Sequence, residues 1–386
     1  MPHLPPIRLT GARVLRAGAL IDDALTLAGD RIGTGPAPEV DLSGFWVLPG
    51  IVDLHGDGFE RHLTPRPAAP FDKRRALRSV AAELAANGVT TAWLAQSWSW
   101  EGGFRGADAA EALLAAVEAA RPGLLPDIRV QLRLETHVLP EHPRVMTAVE
   151  RFGIDFVVFN NHLPEATDLA ARNPRRLALW AAQSGRTAEE MLAVVAAAEA
   201  QAPEVPAALA AIAARMAARG VRMGSHDDGD AATRAFFRGI GAPIAEFPTA
   251  GAAAEAARAA GEPVLMGAPN VVRGGSQSGN IAAETLLAAG LCDALMSDYY
   301  YPALAQSAFA LAERGARDFA AAWALISAAP ARIMGLEDRG RLDPGLRADL
   351  VIVDPESRTV EATIAGGCLA YAHGAAARRL MARAAA

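Results

Sequence analysis

The sequence contains one lysine, Lys73, among 386 residues. It lies in a helix start, "FDKRR", and so offers no cation to a distant cluster of carboxylates. Two cysteines, Cys292 and Cys368, exclude a disulfide framework and a four-thiolate metal site, and a reducing compartment is the simple expectation. No uninterrupted apolar stretch of about 18 residues occurs, so no membrane span is expected. Ala-rich segments such as "AALAAIAARMAARG" are broken by Arg and Gly and read as amphipathic helices. The formal net charge of -6 supplies no global basic field for nucleic acid, so an anionic ligand would have to be held by local arginines. The start, "MPHLPPIRLTGARV", lacks the charged and apolar regions of a signal peptide. A cytoplasmic location is therefore expected.

What is present is ordinary globular composition, 52% hydrophobic and 21% charged, in a chain long enough for a large core and more than one domain. Residues 7–49 carry short strand-like pieces, "IRLTGARVL" and "LTLAGDRIG". From about residue 50, eight short apolar runs alternate with long Ala/Leu/Glu/Arg stretches of helical period. The runs are "GIVDLHGD", "VTTAWLAQS", "IRVQLRLET", "IDFVVFNNH", "VRMGSHDD", "PIAEFPTA", "PVLMGAPN" and "DALMSDYY". Strands alternating with helices imply an α/β protein with a parallel sheet. Eight such units fit a (β/α)8 barrel, with a doubly wound open sheet as the rival. The stretch 163–219 is too long for one crossover and reads as two or three additional helices, suited to a lid. Short-strand texture returns after about 337. The expected organisation is a barrel over 50–337 and a small β-sandwich domain built from 1–49 and 338–386.

In a barrel, chemistry collects where strands exit into their following loops. The first run ends in His55 and Asp57, the third in Glu135, the fourth in His162, the fifth in His226 and Asp227, and the eighth in Asp298. His55 and Asp57 are two apart and face one side of an extended strand. Asp57, Glu135 and Asp298 would converge on one small volume and cannot all stay ionised without a counter-charge. With no lysine at hand, a divalent metal is the expected counter-charge, zinc first, with manganese or iron as alternatives. Six candidate ligands, His55, Asp57, Glu135, His162, His226 and Asp298, suit two ions about 3.5–4 Å apart. His3, His137, His142 and His373 read as ordinary surface or core histidines, and Trp93, Trp98 and Trp100 as core.

"LPGIVDLHGD" and "SAAPARIMGLEDRGRLDPGLRADLVIVD" resemble the amidohydrolase superfamily, which implies a metal-dependent barrel and a small β domain from both chain ends. "ERHLTPRP", "GVTTAWLAQSWSW", "GSHDD", "AEFPTA", "MGAPNVVRGGSQSGN" and "SDYYYPAL" resemble, more narrowly, the PhnM family of phosphonate catabolism, the alpha-D-ribose 1-methylphosphonate 5-triphosphate diphosphatases. The resemblance implies that His55 and Asp57 are first-strand ligands, Glu135 the bridging ligand, His162 and His226 the single-His ligands, and Asp298 a ligand that also serves as general acid/base. A carbamylated lysine, used at the bridging position by many superfamily members, is closed to a chain whose only lysine is Lys73. The tally puts His162 and His226 on strands four and five, whereas the superfamily's usual places are five and six. Either the count is one short or the second His ligand is another residue. The chain departs from the family at Gly56 and Gly58, where Thr and Asn are common, at Gln277, where His is common, and around His162.

The implied reaction is hydrolysis of a ribose carrying methylphosphonate at C1 and triphosphate at C5, with release of pyrophosphate. Arg273 lies in a Gly-rich stretch that lets backbone approach a phosphate, with Asn270, Ser276 and Gln277 as neutral donors. Arg61, His62 and Arg66 follow the first strand and could grip a polyphosphate tail. One alternative is a two-metal hydrolase of amides or cyclic amides, such as an N-acyl amino-acid hydrolase or deaminase, which would not require Arg273 and its loop. A second is a non-catalytic subunit, which loss of ligands would favour; all six are present. The Ala-rich helices offer a surface for a homodimer.

Overall fold

The computed structural model describes residues 3–66 and 69–384. Pro67, the last residue of "ERHLTPRP", lies outside them. Eight parallel strands follow one another around a single sheet: β1 (Ile51–Gly56), β2 (Val89–Trp98), β3 (Asp127–Glu135), β4 (Phe156–Asn160), β5 (Arg222–His226), β6 (Ile244–Glu246), β7 (Val264–Gly267) and β8 (Ala294–Met296). Each of the eight runs is a strand, and the sheet order is the chain order, which excludes the doubly wound alternative. Closure between β8 and β1 rests on few bonds. Asp298 N–H donates to His55 O, and Asp57 N–H to Asp298 O, both at 2.9 Å. Beside them the buried Asp53 carboxylate accepts from Ser297 N at 3.0 Å and Ser297 Oγ at 2.5 Å.

The pleat sorts the strands' residues. On β3, Ile128, Val130, Leu132 and Leu134 join the large cluster shared with the surrounding helices, so Gln131, Arg133 and Glu135 face inward. Val52, Leu54, Trp93, Phe156, Val158, Ile244, Leu265, Ala294 and Met296 form the inner apolar cluster. A register shift between Asp53 and Gly56 breaks the alternation, and this turns His55 inward although Leu54 is already part of that inner cluster.

The helix Lys73–Ala86 begins at Asp72, whose side chain accepts from Arg75 N, as a helix N-cap should. The stretch 163–219 forms four helices, Leu163–Arg172, Pro174–Gln183, Ala188–Glu199 and Val205–Ala217. The first three pack on one another, and the fourth lies on β5 as the crossover. Strands from the two chain ends share a six-stranded sheet, in which Leu350–Asp354 pairs antiparallel with Trp46–Pro49. A four-stranded sheet from residues 7–41 faces it. One apolar cluster, including Leu9, Leu27, Val47, Leu350 and Ile364, fills the space between them, giving the β-sandwich.

Candidate metal centre and active site

The polar residues gather at the C-terminal mouth of the barrel. His55, Asp57 and Asp298 bring ligand atoms within 4.8 Å of one another, as do His55, His226 and Glu246, and as do Glu101, Glu135 and His162. All six residues expected as ligands therefore fall in these groups. Their arrangement differs from one tight sextet: Glu135 and His162 group with Glu101, while His226 groups with His55 and Glu246. The strand tally stands. The sixth strand ends in Glu246, not in a histidine, so the two His residues sit after strand four and on strand five.

Sharp backbone turns aim these groups. Asp227, Phe247 and Asp298, just past β5, β6 and β8, have φ of 60°, 53° and 55°. Such left-handed conformations cost side-chain-bearing residues energy and persist where surrounding structure enforces them. Phe247 lies with its ring 4.9 Å from His55 and 5.1 Å from His226, fixing the spacing of the two imidazoles.

Several of these candidate ligands have side-chain partners. His55 Nδ1 lies 2.8 Å from Glu246 Oε2; burial disfavours the charged imidazole, but Glu246 prevails and raises the His55 pKa. Gln131 Nε2 donates to Glu246 Oε1 at 2.8 Å. Burial alone would raise the Glu135 pKa, yet His162, 2.6 Å away, and Asn160 hold it down at about 2. Burial pushes Asp298 up to about 7, with the Asp57 charge adding to the rise. Burial lowers the His226 pKa despite Asp227 beside it.

Three functional residues escaped the sequence reading. Glu101, in "SWSWEGG", is buried at the end of the loop after β2. It accepts from Trp180 Nε1 at 2.5 Å, so the helical stretch 163–219 reaches the mouth. Arg186 of the same stretch donates to Glu101 O. Glu246 lies inside the sixth run, "PIAEFPTA", and is the last residue of strand β6. Arg133 was visible two residues before Glu135, and it adds a cation at the site that the search for lysine passed over, beside the metal the family implies. The Arg133 Nη1 lies 3.8 Å from Asp57 Oδ2 and its Nη2 lies 3.4 Å from His226 Nε2. Trp100, read as core, is buried and also donates to Glu135 Oε2 at 3.1 Å.

The residues expected to hold substrate divide. Asn270, Arg273, Ser276 and Gln277 line a cavity of about 210 Å³ that also includes His226, Asp227 and Asp298. Arg61 and His62 are instead engaged by Glu83 of the helix Lys73–Ala86. Arg61 Nη1 also donates to the backbone O of Tyr299, a cavity residue, at 3.0 Å. Arg66 is exposed on the following loop. Gly56 packs against the fully buried Tyr301, and a Cβ on Gly58 would first meet Arg61 Nη1 at 3.0 Å and Tyr299 O at 3.1 Å. A Cβ on Gly56 would stand 2.7 Å from Tyr301 Cε1 and 2.8 Å from Asp53 Oδ2, and one on Gly58 3.3 Å from Tyr301 Cε2.

Residues 57–367 match the amidohydrolase family. The chain belongs to that family. It is similar to the alpha-D-ribose 1-methylphosphonate 5-triphosphate diphosphatase of Escherichia coli (strain K12), 37% identical over 327 residues that cover 81% of this chain and 84% of the relative. Among solved structures it is similar in fold to N-acetylglucosamine-6-phosphate deacetylase from Pasteurella multocida, with TM-score 0.63 and 11% identity, covering 95% and 99% of the two chains. It is also similar in fold to β-aspartyl dipeptidase from Fervidobacterium islandicum AW-1, with TM-score 0.60 and 14% identity, covering 96% and 97%. As an amidohydrolase, the protein is a metal-dependent hydrolase. The nitrogen and oxygen donors of its three residue groups are of the kind such metals take. Among the described residues, no helix is long and apolar enough to cross a membrane.

Proposed function

We propose that the protein hydrolyses alpha-D-ribose 1-methylphosphonate 5-triphosphate and releases pyrophosphate. The observation that carries this reading is the cavity, in which Arg273 and the donors Asn270, Ser276 and Gln277 share one space with His226 and Asp298. The 37%-identical relative, whose name states that activity, supports the same substrate.

In this reading His55, Asp57, Glu135, His162, His226 and Asp298 would hold two divalent ions, zinc in the first instance, with Glu101 and Glu246 as added or orienting carboxylates. Such ions, when bound, lower the pKa of a water and draw charge from a phosphoryl oxygen. Asp298, which lines the cavity with His226 and lies within reach of His55 and Asp57, would take a proton from the attacking water. The water oxygen bonds to the α-phosphorus, the bond to the bridging oxygen breaks, and pyrophosphate leaves with the electron pair. Arg273 and the neighbouring donors stabilise the departing charge. Arg61 reaches the cavity edge through Tyr299, whereas His62 and Arg66 lie farther along the same loop. The barrel over 50–337 carries this chemistry, and the terminal segments 1–49 and 338–386 form a supporting domain. The scarcity and burial of cysteine suit a cytoplasmic protein, and a homodimer is compatible with the exposed Leu179 and Leu192 of the helical stretch.

Phosphorus NMR of the purified protein with the triphosphate substrate and added zinc or manganese tests the reading. Metal-dependent appearance of pyrophosphate is the expected result. No pyrophosphate, together with cleavage of an N-acyl amino acid, would replace it with the amide-hydrolase reading.

A further inference from the structure

Arg133 is buried, 6% exposed, on the inner face of β3. A guanidinium carries five N–H donors, and Arg133 has little on which to spend them. Its Nε is buried without a hydrogen-bond partner. Its Nη2 makes one long contact, 3.4 Å to His226 Nε2. Its Nη1 is 3.8 Å from Asp57 Oδ2, beyond hydrogen-bonding distance. Arg234, fully buried behind β5, shares an Nε without a hydrogen bond, 3.3 Å from Glu262 Oε2, but its terminal nitrogens are satisfied: they donate to Ser225 Oγ at 2.7 Å, to Asp228 Oδ2 at 3.0 Å, to Ile244 O at 3.3 Å and to Ala242 O.

Buried donors left unmade are costly. A metal ion cannot relieve them, because it accepts no hydrogen bond. An anion with two oxygens in one plane can, and a phosphoryl group matches the guanidinium fork. His226, which Arg133 touches, lines the same cavity as Arg273. We propose that Arg133 is an inner anion-binding residue that takes non-bridging oxygens of the substrate's polyphosphate at the barrel mouth, and so selects phosphoanhydrides over amides. This rests on the diphosphatase reading above. Arg273 meets the outer end of the same polyphosphate.

The test is calorimetric titration of the metal-loaded protein with inorganic pyrophosphate, with metal content measured alongside, for the wild type, Arg133→Gln and Arg133→Lys. The expected result is at least tenfold weaker binding in Arg133→Gln at unchanged metal content, and an intermediate loss in Arg133→Lys, which keeps the charge without the fork. Arg133→Gln binding pyrophosphate within twofold of wild type would overturn the proposal. So would joint loss of metal and pyrophosphate in Arg133→Gln with both fully restored in Arg133→Lys, because Arg133 would then act only as a counter-charge. If Arg133→Gln does not fold, Arg133→Lys decides: several-fold weaker binding supports the proposal and equal binding overturns it. A wild type that cleaves the triphosphate while Arg133→Gln still binds tightly refutes this inference alone. A wild type that neither binds pyrophosphate nor cleaves the triphosphate refutes the functional reading as well.

Discussion

Glu246 Oε2 lies 2.8 Å from His55 Nδ1, joining the sixth strand to the first across the barrel mouth. This contact fixes the tilt of an imidazole that also has a ring nitrogen within 4.8 Å of carboxylate oxygens of Asp57 and Asp298. Carboxylates that orient metal-ligating histidines typically hold about 10–100-fold in metal affinity. Glu246→Gln should therefore weaken zinc binding by about that factor, read by competition with a chromogenic chelator. Unchanged affinity would mean that Glu246 contributes only to packing.

Asp298 carries a pH signature. Its pKa in the folded chain is raised to about 7, from 3.8, by burial and by the charge of Asp57. A carboxyl whose folded pKa is raised contributes stability fully present below its unfolded pKa and lost as pH rises through the folded one. The metal-free protein should thus lose stability on going from about pH 4 to about pH 7 through this group. Asp298→Asn should flatten that part of the curve in urea unfolding. The same substitution should abolish turnover, since the amide cannot accept a proton from water.

Most of the fold and much of the site were legible in the sequence, for separable reasons. The eight strands announced themselves because each short apolar run ends in polar or turn-forming residues and alternates with stretches of helical period. His55, Asp57, Glu135, His162, His226 and Asp298 were legible because a polar residue at a strand end must be solvated, paired or coordinated. Glu246 was missed because the sixth run, "PIAEFPTA", continues four residues past it, whereas the strand ends at Glu246 where the backbone turns left-handed at Phe247. Glu101 was hidden because it belongs to a loop, and its link to Trp180 spans 79 residues of sequence. The inward turn of His55 depends on a register shift that no two-residue period contains.

The contact between Trp180 and Glu101 predicts local behaviour of the helical stretch. A hydrogen bond to a buried charged group is worth about 1.5–3 kcal/mol. Trp180→Phe keeps the ring that packs 6.0 Å from Trp100 and removes the N–H. Amide hydrogen exchange across 174–186 should become faster, with the terminal sheets unchanged. Unaltered exchange in that stretch would show that Glu101 does not anchor it.

Tyr301 stands closest to a Cβ at Gly56, the glycine before Asp57. Gly56→Ala places a methyl 2.7 Å from the Tyr301 ring and 2.8 Å from Asp53 and Ser297, where the barrel closes. Overpacking of this kind costs about 1–3 kcal/mol, so chemical denaturation should shift to lower midpoint by that amount. Tyr301→Ala should relieve much of the cost of Gly56→Ala in a double-mutant cycle. Additive effects would show that the ring is not the obstacle.

The central claim is that water attacks the phosphorus nearest the sugar, at the cluster of Asp298, His226 and Arg133. A single turnover in water enriched in oxygen-18, with the products analysed by mass spectrometry, tests it most directly. The account predicts one heavy oxygen in the ribose 5-phosphate product and none in the pyrophosphate. Label in the pyrophosphate, or no phosphorus–oxygen cleavage at all, would contradict it.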